Sequence, residues 1–219
     1  MSADAKGYPD ELMASYAASG FTAGAGEKKG GYPFGDHPAL LVIDVCNAYL
    51  TEGSPLYGKD RFQTALDSCE KTITLCRENG IPVIFSRVVY HDRGADGGNW
   101  YKFKLPKALC AFDKGNVLGD YPTNSKICRP FAGETVIEKQ YSSCFFGTSL
   151  ASTLIRLKTD TLLVCGYSTS GCYGFNPYVI ADACGDRDEY PHKANLFDMK
   201  AKFAEVVTSD ELAMLIKDV

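Results

Sequence analysis

From Ala39 onward the chain alternates short aliphatic runs with stretches whose apolar residues recur at helical spacing. Ala39 to Val45 runs Ala-Leu-Leu-Val-Ile-Asp-Val, which predicts a strand covered on both faces in a parallel sheet, with the polar Asp44 near its C-terminal end. Phe62, Leu66, Cys69, Ile73 and Cys76 then repeat with the period of a helix, and Asn79-Gly80 stops it. Ile81 to Val89 is a second buried strand. Gly94, Gly97, Gly98, Trp100 and Pro106 mark a loop region, and Thr135 to Glu138 form a short strand leading into Lys139. Thr148 is placed to cap a helix striped with Leu150, Leu154 and Leu157. Thr161 to Gly166 and Pro177 to Ala183 are further strands, and a last one surrounds Val206 and Val207. Thr208 with Glu211 three residues on is a capping box that opens the final helix. Strand alternating with helix predicts an α/β fold: a doubly wound, Rossmann-like parallel sheet with helices on both faces.

The first 36 residues do not share this pattern. They are rich in Gly, Ala and Lys, with one helical stretch from Pro9 to Ala18, and are expected to be an arm packed on the main body or on a neighbouring subunit, leaving 37–219 as one domain. Gly24, Gly26 and Gly30 do not make a nucleotide loop, because that motif follows a strand and opens a helix. A nucleotide-binding module would fit the sheet but lacks its phosphate loop.

Composition narrows the function classes. The 219 residues carry 23 Lys plus Arg and 27 Asp plus Glu, a net charge of −4, which repels a polyanion and argues against nucleic acid as a partner. No apolar run approaches a membrane span and the first 31 residues have no signal-peptide core, so a soluble, cytoplasmic protein is expected. Nine cysteines, with no CxxC pair, predict buried thiols rather than a disulfide framework or a zinc ribbon.

Ligands of open parallel sheets bind beyond the carboxyl ends of the strands. Three residues of chemical interest are expected there: Asp44 after the first strand, Lys139 after the short one, and Cys172 in Gly-Tyr-Ser-Thr-Ser-Gly-Cys (166–172). A thiol is a useful nucleophile only as thiolate, which a carboxylate taking its proton and an ammonium favouring the anion would supply. The small residues between Ser168 and Gly171 would let backbone N–H groups hold an oxyanion. Strand order does not follow from spacing, so the sequence alone does not show that the three meet.

Those residues carry a resemblance. Ala-Leu-Leu-Val-Ile-Asp-Val-Cys-Asn-Ala-Tyr (39–49), Glu138-Lys139 before Tyr141 to Phe145, and Gly-Tyr-Ser-Thr-Ser-Gly-Cys resemble the isochorismatase-like cysteine hydrolases. Ala183 to Arg187, Pro191-His192 and Ala194 to Asp198 are most similar to the N-carbamoylsarcosine amidohydrolase branch. The resemblance implies Cys172 as nucleophile, Asp44 as general base and acid, Lys139 as the poising cation, and an oxyanion hole from the N–H groups of Ser168 and Cys172 beyond a cis Tyr167–Ser168 peptide. It also implies Arg187 as the residue that binds a substrate carboxylate. The implied activity is hydrolysis of the C–N bond of a small carboxylate-bearing amide or ureido compound through a thioester, releasing ammonia, in a homo-oligomer. No cofactor is implied. Relatives that deamidate nicotinamide hold a metal with an Asp and two His, but His37, His91 and His192 lack the paired spacing.

One feature departs from that family. Eleven residues separate Gly166 from Tyr178, whereas a parallel crossover needs a dozen or more, usually helical. The helix that follows the nucleophile in relatives is therefore expected to be missing after Cys172. Three consequences are expected: a strand from Tyr178 that is displaced or reached by an extended tether, apolar sheet surface left uncovered, and a less activated Cys172. An alternative follows, a catalytically impaired relative retained as a binding or oligomer-forming subunit.

Overall fold

The computed structural model describes residues 32–58, 60–167, 177–202 and 204–217, with residue 11 and the short pieces 14–15 and 18–20 near the start. Six parallel strands form one sheet in the order β3-β2-β1-β4-β5-β6. They are β1 (Pro38–Ile43), β2 (Val83–Val88), β3 (Thr135–Lys139), β4 (Thr161–Tyr167), β5 (Pro177–Gly185) and β6 (Glu205–Val207). The predicted strands all exist, with ends moved by one to two residues for β1, β2 and β5 and by one at the C-terminal end of β3 and β4.

The central position of β1 follows from its composition. Ala39, Leu40, Leu41 and Val42 are all 0% exposed, because β2 and β4 flank them and helices cover both faces. After the single-turn helix α1 (Asn47–Leu50), Phe62, Leu66, Cys69, Ile73 and Cys76 of helix α2 (Asp60–Glu78) pack with Leu40 and Val42, as does Leu212 of α6 (Ser209–Lys217). Ala39 and Leu41 point the other way, onto Leu150 and Leu154 of α4 (Leu150–Arg156). Two faces served by alternate residues are the reason for the unbroken aliphatic run, each large side chain contributing roughly 1.5–3 kcal/mol when buried.

Local signals end the helices where the sequence placed them. Gly80 adopts a φ of 69°, in the left-handed region that glycine tolerates. The Asn79 side chain donates to the Leu75 carbonyl. At the helix that starts at Leu150 the N-cap is Ser149, which makes no side-chain cap, and not Thr148 as expected; Thr148 Oγ1, one residue earlier, accepts from Leu150 N–H at 3.1 Å. At the last helix Glu211 Oε2 accepts from Thr208 N–H at 2.7 Å and Thr208 Oγ1 from Glu211 N–H at 3.2 Å, which is the capping box.

Two expectations need correction. The stretch read as a loop contains a π-helical turn at Trp100–Lys104, helix α3 at Pro106–Leu109 and 3-10 turns at Cys110–Phe112 and Val117–Gly119. Each piece is too short to show a period, and Pro106 suits the first turn of α3 although it looks like a breaker. The sheet beside the short crossover is also covered. Val164, Val179 and Ala181 are buried, the first with Leu150 and Leu154, the other two under Leu196, Phe197 and Met199 of α5 (Glu189–Lys202). Strand β5 is not displaced: Leu162 to Val164 pair with Pro177 to Val179, the register shifts, and Gly166 pairs with Cys184.

The segment before β1 packs on the body. Tyr178 donates its hydroxyl to the Tyr32 carbonyl, Gly35 N–H reaches Thr161 Oγ1, and the N–H groups of Asp36 and His37 reach the Asp160 carboxylate. Most of the predicted Pro9–Ala18 helix lies outside the described residues. Among the described residues no helix is long and apolar enough to cross a membrane.

Candidate active site

Strand order reverses between β1 and β4, so the crevice of this sheet opens at their carboxyl ends. Asp44 stands there, directly after Ile43, with a φ of 51°. Aspartate is one of the few side chains that enter this region without severe cost. The chain leaves the strand at this residue while its N–H still donates to the Ser86 carbonyl at 3.2 Å.

Lys139 ends β3, two strands away. Neighbouring strands lie roughly 4.8 Å apart, so only a long side chain spans the gap over β2 to reach Asp44. The Lys139 ammonium lies 2.8 Å from Asp44 Oδ2 and donates to the Ser142 carbonyl at 2.7 Å. The side chains are 1% and 10% exposed. An ion pair this deep is costly to desolvate and persists only when closely matched, which sets it apart from a surface pair.

The other oxygen of the carboxylate is also engaged: Ser86 Oγ donates to Asp44 Oδ1 at 2.8 Å. Serine at this place on β2 was not singled out in the sequence. The available signal was a lone polar residue on the face shared by Ile84 and Val88, in a strand otherwise built of Val, Ile, Phe and Arg.

Asp44, Lys139 and Arg187 line one cavity of about 180 Å³. Its walls are apolar, from Trp100, Leu105, Leu109 and Phe112 on one side and Tyr49 and Leu56 on another. Trp100 to Phe112 therefore supply a wall that a loop assignment concealed. Arg187 follows β5 and joins from the far side of the switch point. Low polarity around so few charged groups strengthens their interactions with a ligand. Cys172 and Ser168, with the proposed cis peptide after Tyr167, lie outside the described residues.

Among the described residues, neither the thiol beside Asp44 nor a histidine offers the same chemistry. Cys46, two residues from Asp44, is pushed up to about 12 by burial and further by the Asp44 charge, so it stays a neutral thiol at physiological pH. His91 pairs with Asp96 at 2.9 Å in the loop after β2. His192 lies on α5 with its pKa lowered by burial and by Arg61, and His37 precedes β1 at the opposite end of the sheet.

Fold and site together define an α/β protein with an acid–ammonium pair at the switch point of a doubly wound sheet. Residues 38–211 match the family model described as the isochorismatase domain, and the chain belongs to that family of hydrolases. Among characterised relatives, a maleamate amidohydrolase from Pseudomonas putida is 38% identical over 81% of this chain and 86% of its own. An N-carbamoylsarcosine amidase from an Arthrobacter species is 30% identical over 84% and 72%. A cysteine hydrolase from Pseudomonas syringae pv. phaseolicola has a TM-score of 0.77 over 88% of this chain and 99% of its own at 18% identity. An N-carbamoylsarcosine amidase from Thermoplasma acidophilum has a TM-score of 0.62 over 80% and 98% at 23% identity. The structural likenesses are ones of fold.

Proposed function

We propose that the protein is a cysteine-dependent amidohydrolase that cleaves the C–N bond of a small carboxylate-bearing amide or ureido compound, maleamate-like or N-carbamoylsarcosine-like. The observation that carries this reading is the buried Asp44–Lys139 pair, 2.8 Å apart, sharing one cavity with Arg187. The names of the two characterised relatives support the same bond type.

In this reading Asp44 takes the proton of the Cys172 thiol, and the Lys139 ammonium beside it favours the anionic state of the pair. The thiolate sulfur adds to the amide carbonyl, whose oxygen takes the negative charge and is held by the N–H groups of Ser168 and Cys172. Collapse of that intermediate breaks the C–N bond. Asp44 returns its proton to the leaving nitrogen, and ammonia departs. Water, giving a proton to Asp44, attacks the thioester; the acid leaves and the sulfur recovers its proton. Arg187 holds the substrate carboxylate through its planar fork of donors.

A second reading, an impaired relative acting as a binding or oligomer-forming subunit, is favoured by the nine residues, 168–176, that join the adjacent parallel strands β4 and β5. A panel of small amides and ureido acids with ammonia detection separates the two. Turnover by the wild type and none by Cys172→Ala is the expected result. No ammonia from any substrate, with turnover appearing once a helix is inserted after Cys172, would establish the second reading instead.

A further inference from the structure

Two groups hold the Asp44 carboxylate, and one of them, the Ser86 hydroxyl, has no role in the chemistry described so far. We propose that Ser86 is a positioning residue, which fixes the Asp44 carboxylate in the orientation required for proton exchange with the Cys172 thiol; this rests on the amidohydrolase reading of the site.

Geometry carries the inference. Ile43 pairs with Ser86 across β1 and β2, and the next residue, Asp44, gives its N–H to the Ser86 carbonyl at 3.2 Å. The same serine then gives its hydroxyl to Asp44 Oδ1 at 2.8 Å, while the Lys139 ammonium takes Oδ2 at 2.8 Å. A carboxylate turns easily about its last torsion, which is broad and twofold rather than confined to staggered wells. One contact, from Lys139, leaves that rotation open. Two contacts on different oxygens close it and decide which lone pairs remain for a third group.

Burial supports the assignment. Ser86 is 2% exposed, and Ile84 and Val88, its neighbours on the same face of β2, are aliphatic and buried. A hydroxyl in such a place is unfavourable without a partner, and a small aliphatic residue would satisfy the strand equally well. Its hydrogen bond goes to Asp44, so the polar residue is explained by the carboxylate and not by the needs of the sheet. The rate of a proton transfer falls steeply when the groups are misplaced by about an ångström, so an orienting contact acts on turnover more than on substrate affinity.

The test compares wild type, Ser86→Ala and Ser86→Thr, all carrying Cys110→Ser to remove the exposed thiol. Ammonia release gives kcat and KM, iodoacetamide labelling gives the reactivity of Cys172, and thermal melts report the fold. We expect Ser86→Ala to lose kcat by roughly 10-fold or more with KM within about twofold, to slow Cys172 alkylation in parallel, and to stay folded at the assay temperature, melting somewhat lower because a buried carboxylate oxygen loses its donor. Threonine, which keeps the hydroxyl, restores both rates. Unchanged kcat and unchanged alkylation in Ser86→Ala overturn the inference, as does a loss that follows a lowered melting temperature and is not rescued by threonine. Should the wild type hydrolyse no amide, the amidohydrolase reading falls by itself. The alkylation rates then decide the positioning role: an equal rate in Ser86→Ala rejects it and a slower one, rescued by threonine, supports it.

Discussion

Gly166 on β4 lies so close to Ile43 on β1 that a Cβ at residue 166 would overlap the Ile43 carbonyl oxygen. Its φ is 115°, a conformation that side chains rarely adopt. The two residues pair across the switch point, one position before Asp44 on one strand and before Tyr167 on the other. Gly166→Ala should therefore cost at least about 3 kcal/mol by combining backbone strain with a clash against main chain that cannot step aside. Urea unfolding measures it, and a loss under about 1 kcal/mol would show that β1 and β4 can separate without consequence.

Removing one member of the Asp44–Lys139 pair leaves a buried charge without its counterpart. Lys139→Met is expected to lower stability by about 3–5 kcal/mol, and the double change Asp44→Leu with Lys139→Met to regain most of that loss while remaining inactive. Denaturant unfolding of the single and double variants checks the sign of the coupling, and ammonia release checks the separation of stability from turnover.

Arg187 should act on affinity for charged substrates. Arg187→Gln is expected to raise KM for a carboxylate-bearing amide by roughly 10- to 100-fold, the worth of a charge-assisted hydrogen bond, with little change for an uncharged amide of the same size. Equal effects on both substrates would remove the carboxylate from its proposed place beside this residue.

The buried thiols predict sensitivity to alkali. Burial raises Cys46 and Cys76 from 9.0 to about 12 in the folded chain. Below pH 9 both states keep the proton and the full contribution to stability is present. Between pH 9 and 12 the unfolded chain ionises first, so stability falls by about 1.4 kcal/mol per pH unit for each thiol. Cys46→Ala and Cys76→Ala should flatten that decline in urea titrations at pH 8 and 11; an unchanged slope would contradict it. At neutral pH these thiols are shielded as well as neutral, so iodoacetamide applied to the folded protein should reach the exposed Cys110 and, if the proposed chemistry holds, Cys172 ahead of Cys46, Cys69, Cys76, Cys128, Cys144, Cys165 and Cys184.

Sequence alone determined what depends on near neighbours. The run of aliphatic residues from Ala39, the helical spacing from Phe62 to Cys76, the Gly80 stop and the Thr208–Glu211 box each express a short-range preference, and each appears in the structure as an element or its end. Asp44 and Lys139 were also legible as strand-end residues, because an ionisable group after a buried run is conspicuous. Tertiary structure decided the rest. The order β3-β2-β1-β4-β5-β6 depends on which strands find each other over more than a hundred residues, and only that order brings Lys139 across β2 to Asp44. The hydroxyl of Ser86 and the wall from Trp100 to Phe112 took their meaning from the same assembly: a lone polar residue in a strand, or a chain of single helical turns, carries no periodic signal of its own until packing gives it a partner.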